Sequence, residues 1–114
     1  MTRMIYHMCR GADWEAAVRD GVYRGSPQDL RDGFIHFSTA EQLPESARRH
    51  RAGEAGLVVV AVEDTRLGTR LRWEPSRGGV LFPHLYGPLA TEEAASVRPL
   101  PLGPDGAHRF PPLS

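Results

Sequence analysis

Apolar and polar positions alternate in short strand-like stretches along most of this chain, with two interruptions at helical spacing. Residues 4–9, Met4-Ile5-Tyr6-His7-Met8-Cys9, have strand composition and no helical period. In an extended strand Ile5, His7 and Cys9 share one face, and Met4, Tyr6 and Met8 the other. Trp14, Ala17 and Val18 then fall at i, i+3 and i+4, which predicts a helix with one buried stripe, capped by Asp13 and stopped by Gly21. Residues 22–27 read as an irregular crossing to a turn at Asp32-Gly33. That turn feeds a short strand in which Phe34, His36 and Ser38 lie on one face and Ile35 and Phe37 on the other.

Thr39 and Gln42 have capping-box spacing, and Pro44 predicts an irregular first turn before a regular helix to about Arg49. Ser38 thus falls where a strand meets a helix N-terminus, a place whose free N–H groups favour anions. The unbroken apolar run 57–62 predicts a strand buried on both faces. Residues 64–69 read as loop and 70–74 as a half-exposed strand, ended by Arg77-Gly78-Gly79. Pro83, Gly87 and Pro88 mark 81–89 as an edge strand or a shaped loop; if extended, Phe82, His84 and Tyr86 share a face. A short turn at Thr91-Glu92-Glu93 precedes a last strand over 94–100. Two short helices and five or six strands, with the helices early, predict an α+β fold built on a small, split, mostly antiparallel sheet. Residues 1–100 form one domain, and 101–114 a tail. The stretch from Pro99 onward holds five of the ten prolines, which predicts no regular secondary structure and a path over the surface or disorder.

Composition narrows the possible functions. A chain of 114 residues builds one hydrophobic core rather than two domains. Its 14 basic and 14 acidic residues balance, so no net field draws nucleic acid or an anionic membrane. All the basic residues are Arg, which excludes a Schiff-base lysine and a P-loop and leaves guanidinium forks for any phosphate contact. Cys9 is the single cysteine, so no internal disulfide or multi-thiolate zinc site exists, and it reads as a buried small hydrophobe. With no apolar run of membrane-spanning length and no signal-peptide core, the expected location is the cytoplasm.

Three histidines, His7, His36 and His84, sit among apolar residues in separate segments, whereas His50 and His108 read as solvent-exposed. The plain reading of each is a buried histidine with satisfied ring nitrogens. A site requires the three to converge on one hollow. The order Ile5-Tyr6-His7, Trp14, Gly21-Val22-Tyr23, Gly33-Phe34-Ile35-His36-Phe37-Ser38, Trp73-Glu74, then Phe82-Pro83-His84-Leu85-Tyr86-Gly87-Pro88-Leu89 closely resembles the bacterial domain-of-unknown-function family 952, from about Met4 to Leu100. That family resembles a compact form of the ADP-ribosyltransferase fold, which includes RNA 2′-phosphotransferases.

The resemblance implies an NAD-linked enzyme of ADP-ribosyl-transfer type. His7 and Ser38 would hold the ribose and amide of the nicotinamide half of NAD, and His36 would border the reacting centre. Glu74 would be the acid–base or electrostatic partner, and Arg31 or Arg72 would pair with the pyrophosphate. Tyr23, Phe34 and Tyr86 would offer stacking faces, with His84 beside them among the cofactor-binding residues. Catalysis is thus expected of His36 and Glu74. Contact with NAD is expected of His7, Ser38, Tyr23, Arg31, His84 and Tyr86. The alternative is a small-ligand-binding or regulatory domain of the same fold without catalysis. A metal site of His7, His36, His84 and Glu74 comes last, because these residues lack the short helical spacing of metal motifs.

Overall fold

The structure, a computed structural model, describes residues 2–113. It is an α+β fold of eight short strands and three short helices, and every strand pairing among the described residues is antiparallel. The first sheet has the order β1-β4-β8, from Met4–Arg10, Leu57–Glu63 and Ala94–Leu100. The second sheet has the order β3-β6-β5, from Ile35–His36, Leu81–Leu85 and Leu71–Pro75. A two-stranded ribbon pairs β2, Val22–Tyr23, with β7, Leu89–Ala90. No helix among the described residues is long and apolar enough to cross a membrane.

Strand alternation sorts the core as the pattern predicts. Ile5, Cys9, Val60 and Val62 pack on one face of the first sheet with Trp14, Tyr23, Phe37 and Leu85. Tyr6, Leu57, Val59, Ala61 and Leu100 pack on the other face with Leu43, under the half-buried Phe110 and Leu113. The central strand β4 is buried on both faces, as an unbroken apolar run requires. Helix α1, Gly11–Asp20, buries Trp14 and Ala17 and ends at Gly21 in the left-handed region. Val18, expected in the buried stripe, is 54% exposed, and Arg10 rather than Asp13 precedes the helix, without a side-chain cap. A ten-residue helix on one sheet face needs only a narrow apolar stripe, and Val18 lies beyond its edge.

Two expectations are corrected in the region that shapes the site. Residues 22–27 are not an irregular crossing: β2 takes the first two, and helix α2, Pro27–Asp32, begins at the last. Ser26 and Asp29 close a reciprocal capping box at its N-terminus, with Pro27 in the first turn, and Gly33 ends it with φ 87°. The turn expected at Asp32-Gly33 is there, as the end of this helix, and it leads into the next strand. Gly25 stands before the box with φ 109°, and a Cβ there would come within 2.7 Å of the Asp29 Cβ. Only glycine lets the chain fold so closely over Asp29.

Leu81–Leu85 is neither an edge strand nor a loop but the centre of its sheet, flanked by β3 and β5. The carbonyl of Pro83 accepts from Phe37 N–H at 3.0 Å. Proline has no N–H to return that bond. At this point the chain leaves β6: Ser38 exchanges two 2.8 Å backbone bonds with Tyr6 on the edge of the first sheet. The segment 35–38 thus crosses from one sheet to the other, and the split between them is held open there. Helix α3, Leu43–His50, starts after a turn in which Thr39 and Gln42 exchange side-chain caps, with Pro44 in its first turn. Pro99 and Leu100 belong to β8. The tail beyond them folds back through a Leu102–His108 bridge, so its course is ordered along the surface rather than irregular throughout. His108, expected in solvent, is half-buried and bonds through Nε2 to the Glu54 carbonyl at 2.8 Å.

Candidate functional site

The split between the sheets opens into a cavity of about 90 Å³ whose walls include His7, Asp29, His36, Ser38, Arg51 and His84. The three histidines come from β1, β3 and β6, and His36 and His84 are direct cross-strand partners. Ser38 faces the same cavity as His36, as two positions apart on an extended chain predicts. Its hydroxyl lies 3.0 Å from that of Ser46 on α3.

His7 is 3% exposed and fully engaged. Nδ1 lies 2.6 Å from the His36 carbonyl oxygen, which only accepts, so the proton belongs on Nδ1. The neutral ring then accepts at Nε2 from the Tyr23 hydroxyl at 2.7 Å. Burial pushes the His7 pKa down, against the pull of the Asp29 carboxylate 3.7 Å away. Burial likewise raises Tyr23, keeping the phenol protonated as the donor. Tyr23 is packed against Trp14 and His7, so it orients His7 and offers no stacking face to the cavity.

Asp29 organises the second group, and sequence reasoning passed over it. Its Oδ1 is 2.5 Å from His36 Nδ1 and 3.2 Å from the His36 backbone nitrogen, while Oδ2 accepts from Ser26 N–H at 2.7 Å. Burial raises this carboxyl, yet the His36 ring, His7 and the two N–H donors together outweigh it and hold its pKa at about 2. On its far side His36 Nε2 lies 3.1 Å from Asp32 Oδ2. Both ring nitrogens therefore face carboxylates. The signal for Asp29 was present as Ser26-Pro27-Gln28-Asp29, a capping-box spacing ahead of a helix.

The third group runs from His84 in the cavity wall to Glu74 and Tyr86 behind it. His84 Nδ1 is 2.8 Å from Glu74 Oε1, which also accepts from the Tyr86 hydroxyl at 2.7 Å. That hydroxyl, then His84, lower the Glu74 pKa. Phe34 stacks on His84 with centroids 4.0 Å apart and contacts His36 at 4.5 Å. Arg72 lies over the Tyr86 ring at 4.9 Å.

His7, His36, Ser38 and His84 therefore meet on one cavity, whereas Tyr23, Glu74 and Tyr86 reach it only through histidines and Arg31 stands exposed outside it. His50, though exposed, also lines the cavity. A second hollow of about 290 Å³, shaped by Leu30, Phe34, Ile35 and Pro88 with Arg24, shares Asp29 with the first. Cys9 is buried beneath, its thiol pushed up to about 11 by burial, which removes it as a nucleophile. Among the described residues no group of three or more His, Cys, Asp or Glu side chains is placed to hold a metal ion.

Comparison with known proteins places residues 8–97 in a family described as protein of unknown function (DUF952). The crystal structure of protein CC0527 from Caulobacter crescentus is 46% identical, covers 93% of each chain and superposes with a TM-score of 0.89. The solution NMR structure of CC0527 is 47% identical over 91% of this chain and 90% of that one, with a TM-score of 0.83. No curated protein matches.

Proposed function

The chain belongs to the DUF952 family, and from that premise we propose that it is an NAD-linked enzyme of ADP-ribosyl-transfer type, with a fold related to the ADP-ribosyltransferases. The observation that carries this reading is the convergence of His7, His36 and Ser38, from two halves of a split antiparallel sheet, on one cavity. A volume of about 90 Å³ is below the usual range of roughly 300–1,000 Å³ for ligand pockets, so it suits one end of a ligand. The nicotinamide–ribose end enters there, and the adjoining apolar hollow with Phe34 and Arg24 takes more of the dinucleotide.

Ser38 and Ser46 supply hydroxyls to the amide or ribose, while neutral His7, locked by Tyr23 and the His36 carbonyl, shapes the wall. His36 with Asp29 borders the ribose carbon, where positive charge develops as the glycosidic bond breaks; the buried carboxylate stabilises that charge. Isothermal calorimetry with NAD tests the reading. Binding in the micromolar to millimolar range is the expected outcome, and absence of heat up to millimolar NAD with folded protein removes NAD as substrate.

Two observations favour a second reading, a domain that binds the same ligand without turning it over: both ring nitrogens of His36 are held by carboxylates, and no glutamate among the described residues lines the cavity. Chromatography separates the two readings. Nicotinamide released from NAD over hours identifies the enzyme, and intact NAD with retained binding heat identifies the binder.

A further inference from the structure

We infer that His84 is the proton acceptor of the cavity, and that Glu74, held by Tyr86, is a positioning residue acting through it. The inference rests on the preceding reading for the identity of the reaction, and on geometry for the rest. Glu74 Oε1 receives the Nδ1 proton of His84 at 2.8 Å, and a carboxylate there fixes the Nδ1–H tautomer and leaves Nε2 with its lone pair. Tyr86 donates to the same oxygen at 2.7 Å and keeps the carboxylate charged and aimed at the ring. Phe34 stacks on the imidazole at 22° and fixes its plane.

Nε2 has no hydrogen-bond partner among the described residues, whereas every buried polar side-chain atom among them has one. The ring is 6% exposed and lines the cavity, so Nε2 is its edge open to that space. His36 differs in having carboxylates on both nitrogens, and His7 in having partners on both. Of the three histidines, His84 alone presents a free ring nitrogen. The charged and titratable groups around it are Glu74 and Arg72 on β5, His36 on β3 and Tyr86 beyond the end of β6.

In the proposed reaction Nε2 takes the proton of water or an acceptor hydroxyl as that oxygen bonds to the ribose carbon. The carbon–nitrogen bond to nicotinamide breaks, its electron pair leaves with the ring, and nicotinamide departs neutral because its nitrogen carried the positive charge. The proton on His84 then passes to solvent.

Two measurements on the full chain test the assignment. Long-range ¹⁵N NMR of the ligand-free protein reads the tautomer, and neutral His84 is expected as Nδ1–H in the wild type and as a mixture in Glu74→Ala. Nicotinamide release from NAD is expected to fall roughly 100-fold or more in kcat for His84→Gln and about 10-fold for Glu74→Ala. KM and the calorimetric NAD affinity should change far less than kcat. An Nε2–H tautomer in the wild type, or full kcat in a folded His84→Gln, overturns the assignment. Absence of NAD binding by the wild type overturns the preceding reading instead, and the tautomer, measured without ligand, still decides whether Glu74 sets up His84.

Discussion

Asp29 shows how much of a site can rest on one carboxylate that a sequence presents as a helix cap. It is 3% exposed, and its carboxylate is hydrogen-bonded by the His36 ring and two backbone N–H groups. Because its folded pKa is depressed to about 2 from the ordinary 3.8, it adds stability above pH 4 that is lost as pH falls through about 2. A shift of that size corresponds to about 2 kcal/mol. Asp29→Asn is therefore expected to lose about 2 kcal/mol in urea unfolding at pH 7, with the difference from wild type closing as pH approaches 2. Equal losses at pH 7 and pH 2 would show that the carboxylate charge is not what holds this region. At the same scale the histidines were legible as a group, since His7, His36 and His84 each stood in an apolar stretch. Their partners were not, because which nitrogen meets which oxygen is decided by contacts between segments far apart in the chain.

Among the elements, those with strong local signals formed where the pattern put them: β1, β4, β5 and β8, α1 with its glycine stop, and the Thr39–Gln42 cap. Helix α2 was missed because six residues carry too little periodicity, although its Ser26 cap and Gly33 stop are written in the sequence. Strand β6 was misplaced for the opposite reason. Its proline argues for an edge, yet the missing N–H falls where the neighbouring strand departs, so the ladder loses little. Since α2 carries both Asp29 and Asp32 to His36, its cap bears on the site. Ser26→Ala is expected to cost about 1 kcal/mol in urea unfolding, within the usual range for an N-cap. A midpoint identical to wild type would mean that the capping box does not hold this helix.

On the scale of the whole molecule, the tail is part of the fold. Phe110 and Leu113 pack over Tyr6, Leu57 and Leu100, and the radius of gyration of 13.3 Å is what a compact chain of this length has, with no extended arm. Ending the chain after Leu100 is expected to cost about 2 kcal/mol, the value of two half-buried large apolar side chains, and to expose an apolar patch that binds a hydrophobic dye. Unchanged stability and no dye binding would place the tail outside the core. The split itself has a further consequence. Phe37 gives its amide to one sheet and Ser38 gives its backbone to the other, so two successive peptide units stitch the halves together along the cavity floor. Any rotation that widens or narrows the gap must pivot on that stitch. The amide protons of Phe37 and Ser38 are therefore the gauge on which opening of the gap would first register as faster exchange with solvent.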